Sequence, residues 1–122
     1  MTDKINLADK FALFDTQWSP KIIANVDDYD IRIARIEGEF DWHSHQHADE
    51  MFLVIRGEFV MEYRDRKQNV GMGEMIVVPK GTEHRPIAKN GEVQVMLFEK
   101  SDTRNTGDGA ITSRTIMQME RI

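Results

Sequence analysis

The sequence predicts a small all-β protein, an antiparallel β-sandwich or β-barrel preceded by one short helix. Three observations lead to this prediction. The chain has 122 residues, a common length for a single domain. Its apolar residues fall into many short runs separated by Gly, Pro, Asn and Asp, as in β-sandwiches and barrels. Phe59, Met61 and Tyr63 occupy alternate positions, which indicates a strand with one face toward water.

The first element is a helix and the others are strands. Leu7, Phe11 and Phe14 recur at helical spacing, which predicts an amphipathic helix over Leu7–Phe14. Each later apolar run is short and bounded by turn residues, which favours strands. The predicted strands are Lys21–Val26, Asp30–Glu37, Phe40–His45, Met51–Ile55, Glu58–Tyr63, Lys67–Val70, Met75–Val78, Glu83–Ala88 and Val93–Glu99.

Two of these strands are apolar on both faces, Met51–Ile55 and Met75–Val78. The outer face of such a strand needs cover, which the N-terminal helix or a second subunit would supply. The C-terminal segment Arg114–Ile122 adds further apolar residues, as a docking arm or a frayed end. This apolar excess predicts a homodimer, because a two-fold interface is a common way to bury it.

Composition narrows the function classes. We expect one domain over residues 1–122, with the barrel at about 30–100 and a polar tail at 101–122. The net charge of −5 argues against a nucleic-acid partner, and no apolar run has the length of a membrane span. Residues 1–10 lack the apolar core of a signal peptide, and the absence of cysteine excludes disulfides and thiolate ligands. A cytoplasmic location is therefore expected.

The histidines predict a metal site. All four lie in two segments, 43–50 and 79–84. His43 and His45 are two apart in a predicted strand, so they share a face and can chelate one ion. Glu50 joins them only if a turn or bulge over residues 46–49 resets the register. His84 follows a Pro-x-Gly turn that would fix its approach.

These spacings resemble those of a known family. His43-x-His45, four residues, Glu50, six residues and Gly57 resemble the first motif of the cupins. Gly73, five residues, then the Pro-x-Gly turn and His84 resemble the second motif, without the asparagine often found at its end. The segment Asn105-Thr106-Gly107-Asp108 is similar to that of a subgroup of small single-domain cupins. The resemblance implies a double-stranded β-helix with a mononuclear metal site.

Three imidazoles and a carboxylate leave one or two positions open on a five- or six-coordinate ion, as in catalytic sites. The ligand types suit a divalent Fe, Mn, Ni, Zn or Cu ion. We expect an oxygenase- or isomerase-like reaction on a small, oxygen-rich organic molecule. The alternatives are a non-catalytic ligand-binding or sensor protein, a purely structural metal site, and a metal-free barrel with surface histidines.

Several residues near the motifs have open roles. His47 is either a ligand or a solvent-facing neighbour, and Asp49 is expected to cap or to form a salt bridge. Trp42 is expected to pack beneath the site. The candidate pocket residues are Arg35, Met61 and Met96. For the two methionines the alternative is the usual role of methionine, that of core filler. Arg35 shares strand parity with Ile31 and Ile33 and points inward unless a bulge near Gly38 turns it to solvent.

Overall fold

A computed structural model describes residues 3–122 and confirms the all-β prediction. The helix α1 spans Leu7–Phe11. The strands are β1 (Lys21–Val26), β2 (Tyr29–Glu39), β3 (Glu50–Arg56), β4 (Glu58–Tyr63), β5 (Lys67–Gly71), β6 (Met75–Val78) and β7 (His84–Lys100). They form one antiparallel sheet in the order β1-β2-β7-β3-β6, and β4 joins it by pairing with both β5 and β7.

Strand β7 holds the barrel together because it pairs with three other strands. Its residues 94–98 lie between β2 and β3, while its residues 84–87 pair with β4. The prediction of separate strands over Glu83–Ala88 and Val93–Glu99 is therefore corrected to one continuous strand. Strand β2 pairs with β7 on both sides of a register shift between Ile36 and Gly38. The φ of Gly38 at this shift is 85°. The bulge near Gly38, one of the two alternatives for the direction of Arg35, is therefore present.

The helix is shorter than the predicted Leu7–Phe14. After Ala12 the chain leaves the helix in a tighter turn, in which Phe14 donates to the carbonyl of Phe11 at 3.5 Å. The guanidinium of Arg35 donates to the same oxygen at 2.7 Å. Arg35 also donates to the carbonyl of Phe14 at 2.9 Å. The helix end is thus satisfied by a side chain from β2.

The predicted strand Phe40–His45 is not formed. Residues 40–49, which we call the ligand segment, touch the sheet mainly through two points. Phe40 donates to the carbonyl of Pro86 at 3.1 Å, and His43 forms an isolated bridge with His84. The segment leaves the sheet between these points and β3, so its histidines are free to turn into the end of the barrel.

The apolar residues separate into an inner core and an outer cluster. The inner core fills the barrel and includes Phe52, Met61 and Val95. The outer cluster lies under α1, where Phe11 and Ile33 are almost fully buried. The helix therefore supplies part of the cover that the apolar strands need.

The C-terminal tail has little regular structure but is docked. We call residues 101–116 the strap, because they cross the end of the barrel beside the ligand segment. Thr103, Asn105 and Thr106 are buried there. Beyond the strap, Ile122 donates to the carbonyl of Ile22 in β1, so the chain ends as a docking arm.

Candidate metal centre

The four predicted ligands converge at one end of the barrel. His43 and His45 come from the ligand segment, Glu50 is the first residue of β3, and His84 is the first residue of β7. One potential donor atom from each lies within 4.8 Å of the others. All four are buried, with 9 % or less of each residue exposed. His45 and Glu50 are an odd number of residues apart, so they would point to opposite faces of a continuous strand. The irregular backbone of the ligand segment between them lets both side chains reach the site.

Two of the imidazoles are oriented by backbone carbonyls of their own segments. His43 donates from Nδ1 to the carbonyl of Asp41, and His84 donates from Nδ1 to that of Thr82, both at 2.9 Å. A carbonyl oxygen can only accept, so the proton of each neutral ring is on Nδ1. The unprotonated Nε2 atoms are then available to the site.

The third imidazole is oriented differently. His45 donates from Nε2 to the carbonyl of Arg104 in the strap at 2.9 Å. Because the carbonyl can only accept, the proton of His45 is on Nε2 and its lone pair is on Nδ1, which lies 3.8 Å from Oε1 of Glu50. All three rings therefore offer an unprotonated nitrogen to the cluster.

Burial disfavours the charged form of these groups. It lowers the pKa of His43 to about 3, with the nearby His84 ring contributing. It also lowers the pKa of His84 and raises the pKa of Glu50. Oε1 of Glu50 lies 3.3 Å from Nε2 of His84, an atom that carries no proton in this tautomer. A cation among these atoms would favour both the carboxylate and the neutral rings. The donor set fits a divalent transition metal.

A second carboxyl group lies behind the ligands. Glu99 is 1 % exposed, accepts from Nη1 of Arg32 at 2.7 Å, and lies close to the Glu50 carboxyl group. Burial, together with the Glu50 carboxylate, raises its pKa well above the usual range. Its Oε2 finds no donor among residues 3–122. A proton shared between the two carboxyl groups would provide one.

Arg32 connects this layer to the strap. Its buried guanidinium also donates to Asp30 at 2.9 and 3.0 Å, and to the carbonyls of Ser101 and Thr103 at 3.1 and 2.9 Å. These contacts and the bond to Glu99 engage all three nitrogens, so Arg32 has an anchoring role and is not free to bind a ligand.

A cavity opens beside the cluster. His43, Glu50, Glu99 and Asn105 form its polar end. The remaining lining is apolar: Trp18, Pro20, Ala34, Ile36, Phe40, Phe52, Pro86, Val95 and Leu97. Its volume is about 40 Å³, counted as the space open to the centre of a water molecule, which is room for a few water-sized groups. The cavity is therefore mostly apolar, apart from its polar end at the ligand cluster.

The three candidate pocket residues do not line this cavity. Arg35 does share a face with Ile31 and Ile33, but that face points outward beneath α1. Its guanidinium there also binds Glu92 at 2.9 Å. Met96 packs in the outer cluster, and Met61 is fully buried in the inner core. The residues of β2 that point into the barrel are Arg32, Ala34 and Ile36. The expected inward positions 31, 33 and 35 are therefore wrong by one residue.

The neighbouring residues take separate positions. His47 is exposed and is not among the converging ligands. Asp49 caps a turn, as expected, by accepting from the backbone N–H of Lys80 at 2.9 Å. Trp42 does not pack beneath the site. Its ring stacks against the guanidinium of Arg64, 3.8 Å from the ring centre, on the outside of the barrel.

Sequence reasoning assigned no role in the site to Arg32, Glu99, Arg104 or Asn105. Arg32 alternates with Ala34 and Ile36, but the other face of the strand is largely apolar as well, so the alternation does not show which face points inward. Arg104 contacts His45 through its backbone carbonyl, which any residue has. Asn105 belongs to the segment that resembles a cupin subgroup, but the polar composition of the tail does not show that this residue is buried.

Comparison with known proteins gives the family. A family model for the cupin domain matches residues 31–99, more than half of the chain. The chain is a cupin. The match to the family model ends at Glu99, one residue before the end of β7, so the strap lies outside the matched region.

Two solved structures resemble this cupin along most of their length. A cupin-2 domain containing protein from Shewanella frigidimarina NCIMB 400 is 45 % identical with a TM-score of 0.77, over 79 % of this chain and 93 % of that one. Protein NMB1881 from Neisseria meningitidis is 30 % identical with a TM-score of 0.74, over 81 % of this chain and 100 % of that one.

A sequence relative is similar over a shorter stretch. The uncharacterized protein YdbB of Bacillus subtilis (strain 168) is 39 % identical over 64 residues, 52 % of this chain and 57 % of that protein. The matching stretch thus spans little more than half of either chain. No helix within residues 3–122 combines the length and the apolar character needed to cross a membrane.

Proposed function

We propose that this cupin binds one divalent transition-metal ion through His43, His45, Glu50 and His84 and acts on a small organic molecule. The observation that carries the proposal is the convergence of three unprotonated imidazole nitrogens and one buried carboxylate beside a cavity. Nitrogen and oxygen ligands of this kind suit Fe, Mn, Ni, Zn or Cu.

The geometry favours a catalytic over a structural site. Four protein ligands leave one or two positions open on a five- or six-coordinate ion, and His43 and Glu50 both border the cavity. When bound, the ion would act as a Lewis acid on substrate oxygens. The protein would contribute the dry surroundings and the fixed orientation of the ligands.

The cavity lining indicates the shape of the substrate. Oxygen atoms would lie at the polar end, near Glu50, Glu99 and Asn105. A compact apolar portion would contact Phe40 and Phe52. A substrate with adjacent oxygens fits either an oxygenase or an isomerase-like reaction, in which the buried carboxyl groups are placed to hold a proton.

Product analysis with a matched control separates these possibilities. Metal-loaded protein and a His84→Ala variant are incubated with small molecules that co-purify with the untagged protein, and oxygen uptake and product mass are recorded. Oxygen uptake lost in the variant supports the oxygenase, and a product of unchanged mass without oxygen uptake supports the isomerase. Tight binding without conversion supports the alternative, a non-catalytic binding or sensor protein. Conversion that persists in the variant contradicts the proposal.

We also propose that two copies of the chain associate through the outer face of β3 and β6. Helix α1 leaves this face uncovered, so Met75 is 58 % and Val77 is 49 % exposed. They pair across the sheet with Leu53 and Met51, which extends the apolar surface into β3. A two-fold axis would bring two such surfaces together.

Sedimentation tests this association. Val77→Lys should convert dimers into monomers because it places a charge in the apolar interface, while Leu13→Lys, at another exposed apolar position, should not. A wild-type protein that sediments only as a monomer at micromolar concentration contradicts the dimer.

A further inference from the structure

We infer that the strap completes the metal centre, with the backbone carbonyl of Arg104 as the positioning group that fixes the His45 ring. This inference rests on the proposed metal-binding function. It adds a part of the site that lies beyond residues 31–99, the extent of the cupin family model.

The first observation is the hydrogen bond itself. Each of the three histidines donates to a backbone carbonyl, but the acceptors have different origins. Those of His43 and His84 are the carbonyls two residues before each of them, Asp41 and Thr82. The acceptor of His45 is 59 residues away in the sequence. His45 is therefore held by a segment that must first dock.

The second observation is how closely the strap packs on the ligand segment. A Cβ atom added to Gly107 would lie 2.6 Å from the carbonyl oxygen of Ser44 and 3.0 Å from Cβ of His43. The φ of Gly107 is +83°, which also favours glycine. Backbone therefore meets backbone beside two of the ligands, at a separation that excludes any side chain.

The third observation is that hydrogen bonds made by Asp108 hold this contact on both sides of His45. Asp108 donates its backbone N–H to the carbonyl of Ser44 at 3.0 Å, and its carboxylate accepts from the N–H of Gln46 at 2.7 Å. The side chain of Arg104 binds the carbonyls of Gly107 and Gly109, which closes residues 104–109 into a compact loop.

The strap is tied together by Asn105 and anchored to the barrel by Arg32. Asn105 donates to the carbonyl of Arg114 at 2.8 Å and accepts from the N–H of Ile116 at 2.9 Å, which joins the two ends of the strap. Arg32 holds the carbonyl of Thr103 from inside the barrel. Because Asn105 also lines the cavity, the loop that orients His45 forms part of the cavity wall as well.

The consequence is a specific ring state. With Nε2 protonated and bound to Arg104, His45 presents Nδ1 to the cluster, whereas His43 and His84 present Nε2. A displaced strap would free the ring to rotate and to change tautomer. Loss of such an outer partner typically weakens metal affinity by about 10- to 100-fold.

Two glycine variants test this inference. Gly107→Ala introduces the clash with Ser44 and the strain of positive φ. Gly73→Ala introduces the same strain, at φ +81°, but its Cβ would meet no atom within 4 Å. Zinc affinity is measured for both full-length variants by competition with a chelating dye. The tautomer of His45 is read by NMR of nitrogen-labelled rings in metal-free protein at mildly alkaline pH.

The inference predicts the Nε2–H tautomer for His45 in the wild type and in Gly73→Ala, and its loss in Gly107→Ala with a zinc affinity about 10- to 100-fold below that of Gly73→Ala. An Nδ1–H tautomer in the wild type, or equal affinities in the two variants, would overturn it. If Gly107→Ala does not fold, Asp108→Ala takes its place, and an unchanged affinity there has the same meaning. If the wild type binds no zinc, the affinities are measured for the divalent ion that it does bind. A wild type that binds no divalent transition metal refutes the proposed function, while the tautomer still decides the role of the strap.

Discussion

The barrel and the strap both reach the metal centre, but they are held in place by different interactions. The barrel rests on continuous strand pairing, with β2 and β7 in register from Tyr29 to Ile36, and on a core where Val95 is fully buried. The strap rests on individual hydrogen bonds, such as that from the N–H of Gln46 to Asp108 and those by which Asn105 joins the two ends of the strap. Single substitutions should therefore loosen the strap while leaving the barrel folded. Arg32 is the exception, because it binds both.

The largest effect is expected for Arg32→Met, which should destabilise barrel and strap together. The substitution leaves the carboxyl groups of Asp30 and Glu99 buried without their cation. Removing one partner of a buried ion pair typically costs about 3–5 kcal/mol of unfolding free energy. Urea unfolding measures this loss. The control Arg56→Met changes an exposed position and should stay within about 0.5 kcal/mol. A similarly small loss for Arg32→Met would show that the two regions are not joined there.

Acid should weaken the metal-free barrel through the ligand segment. The pKa of His43 is about 3 in the folded protein, below its ordinary value of 6.5, because burial disfavours the charged ring. As pH falls, the His43 ring of the unfolded chain binds a proton before that of the folded protein does. The stability that the neutral ring contributes is therefore fully present above pH 6.5 and is lost as pH falls toward 3. At about pH 5 the loss is on the order of 2 kcal/mol.

The free energy of unfolding of chelator-treated protein, measured across this pH range, tests whether stability falls with pH as predicted. His43→Gln removes the titrating ring but keeps Glu50 and Glu99, whose raised pKa values act in the opposite direction. The wild type should lose stability relative to this variant as pH falls. A constant difference between the two proteins contradicts the buried, neutral state of His43.

A smaller effect confined to the strap is expected for Asn105→Ala. The change leaves the N–H of Ile116 and the carbonyl of Arg114 without partners, at a cost of about 1–2 kcal/mol. Limited proteolysis should then cut within the strap before the barrel, and more quickly than in the control Asn69→Ala, which alters an exposed position of β5. Equal cleavage of both variants would mean that Asn105 does not hold the strap.

The same division explains what could be predicted from the sequence. The barrel and the four converging residues were predictable, because strand alternation and the fixed spacings of His43, His45, Glu50 and His84 are local signals. The inward face of β2 was not, since both faces are largely apolar and α1 covers the face that carries Ile31 and Ile33. The contact from Arg104 was not predictable either, because any residue has a carbonyl.

Metal content tests the central claim most directly. Untagged protein is loaded with a divalent metal, freed of excess ion and analysed for its elements, alongside His84→Ala and His47→Ala. His84 is one of the converging ligands, whereas His47 is an exposed histidine of the same ligand segment that holds His43 and His45. We predict about one ion per chain in the wild type and in His47→Ala, and almost none in His84→Ala, because losing a ligand removes most of the affinity. Full metal retention in His84→Ala, or its loss in His47→Ala alone, would contradict the assignment of the site.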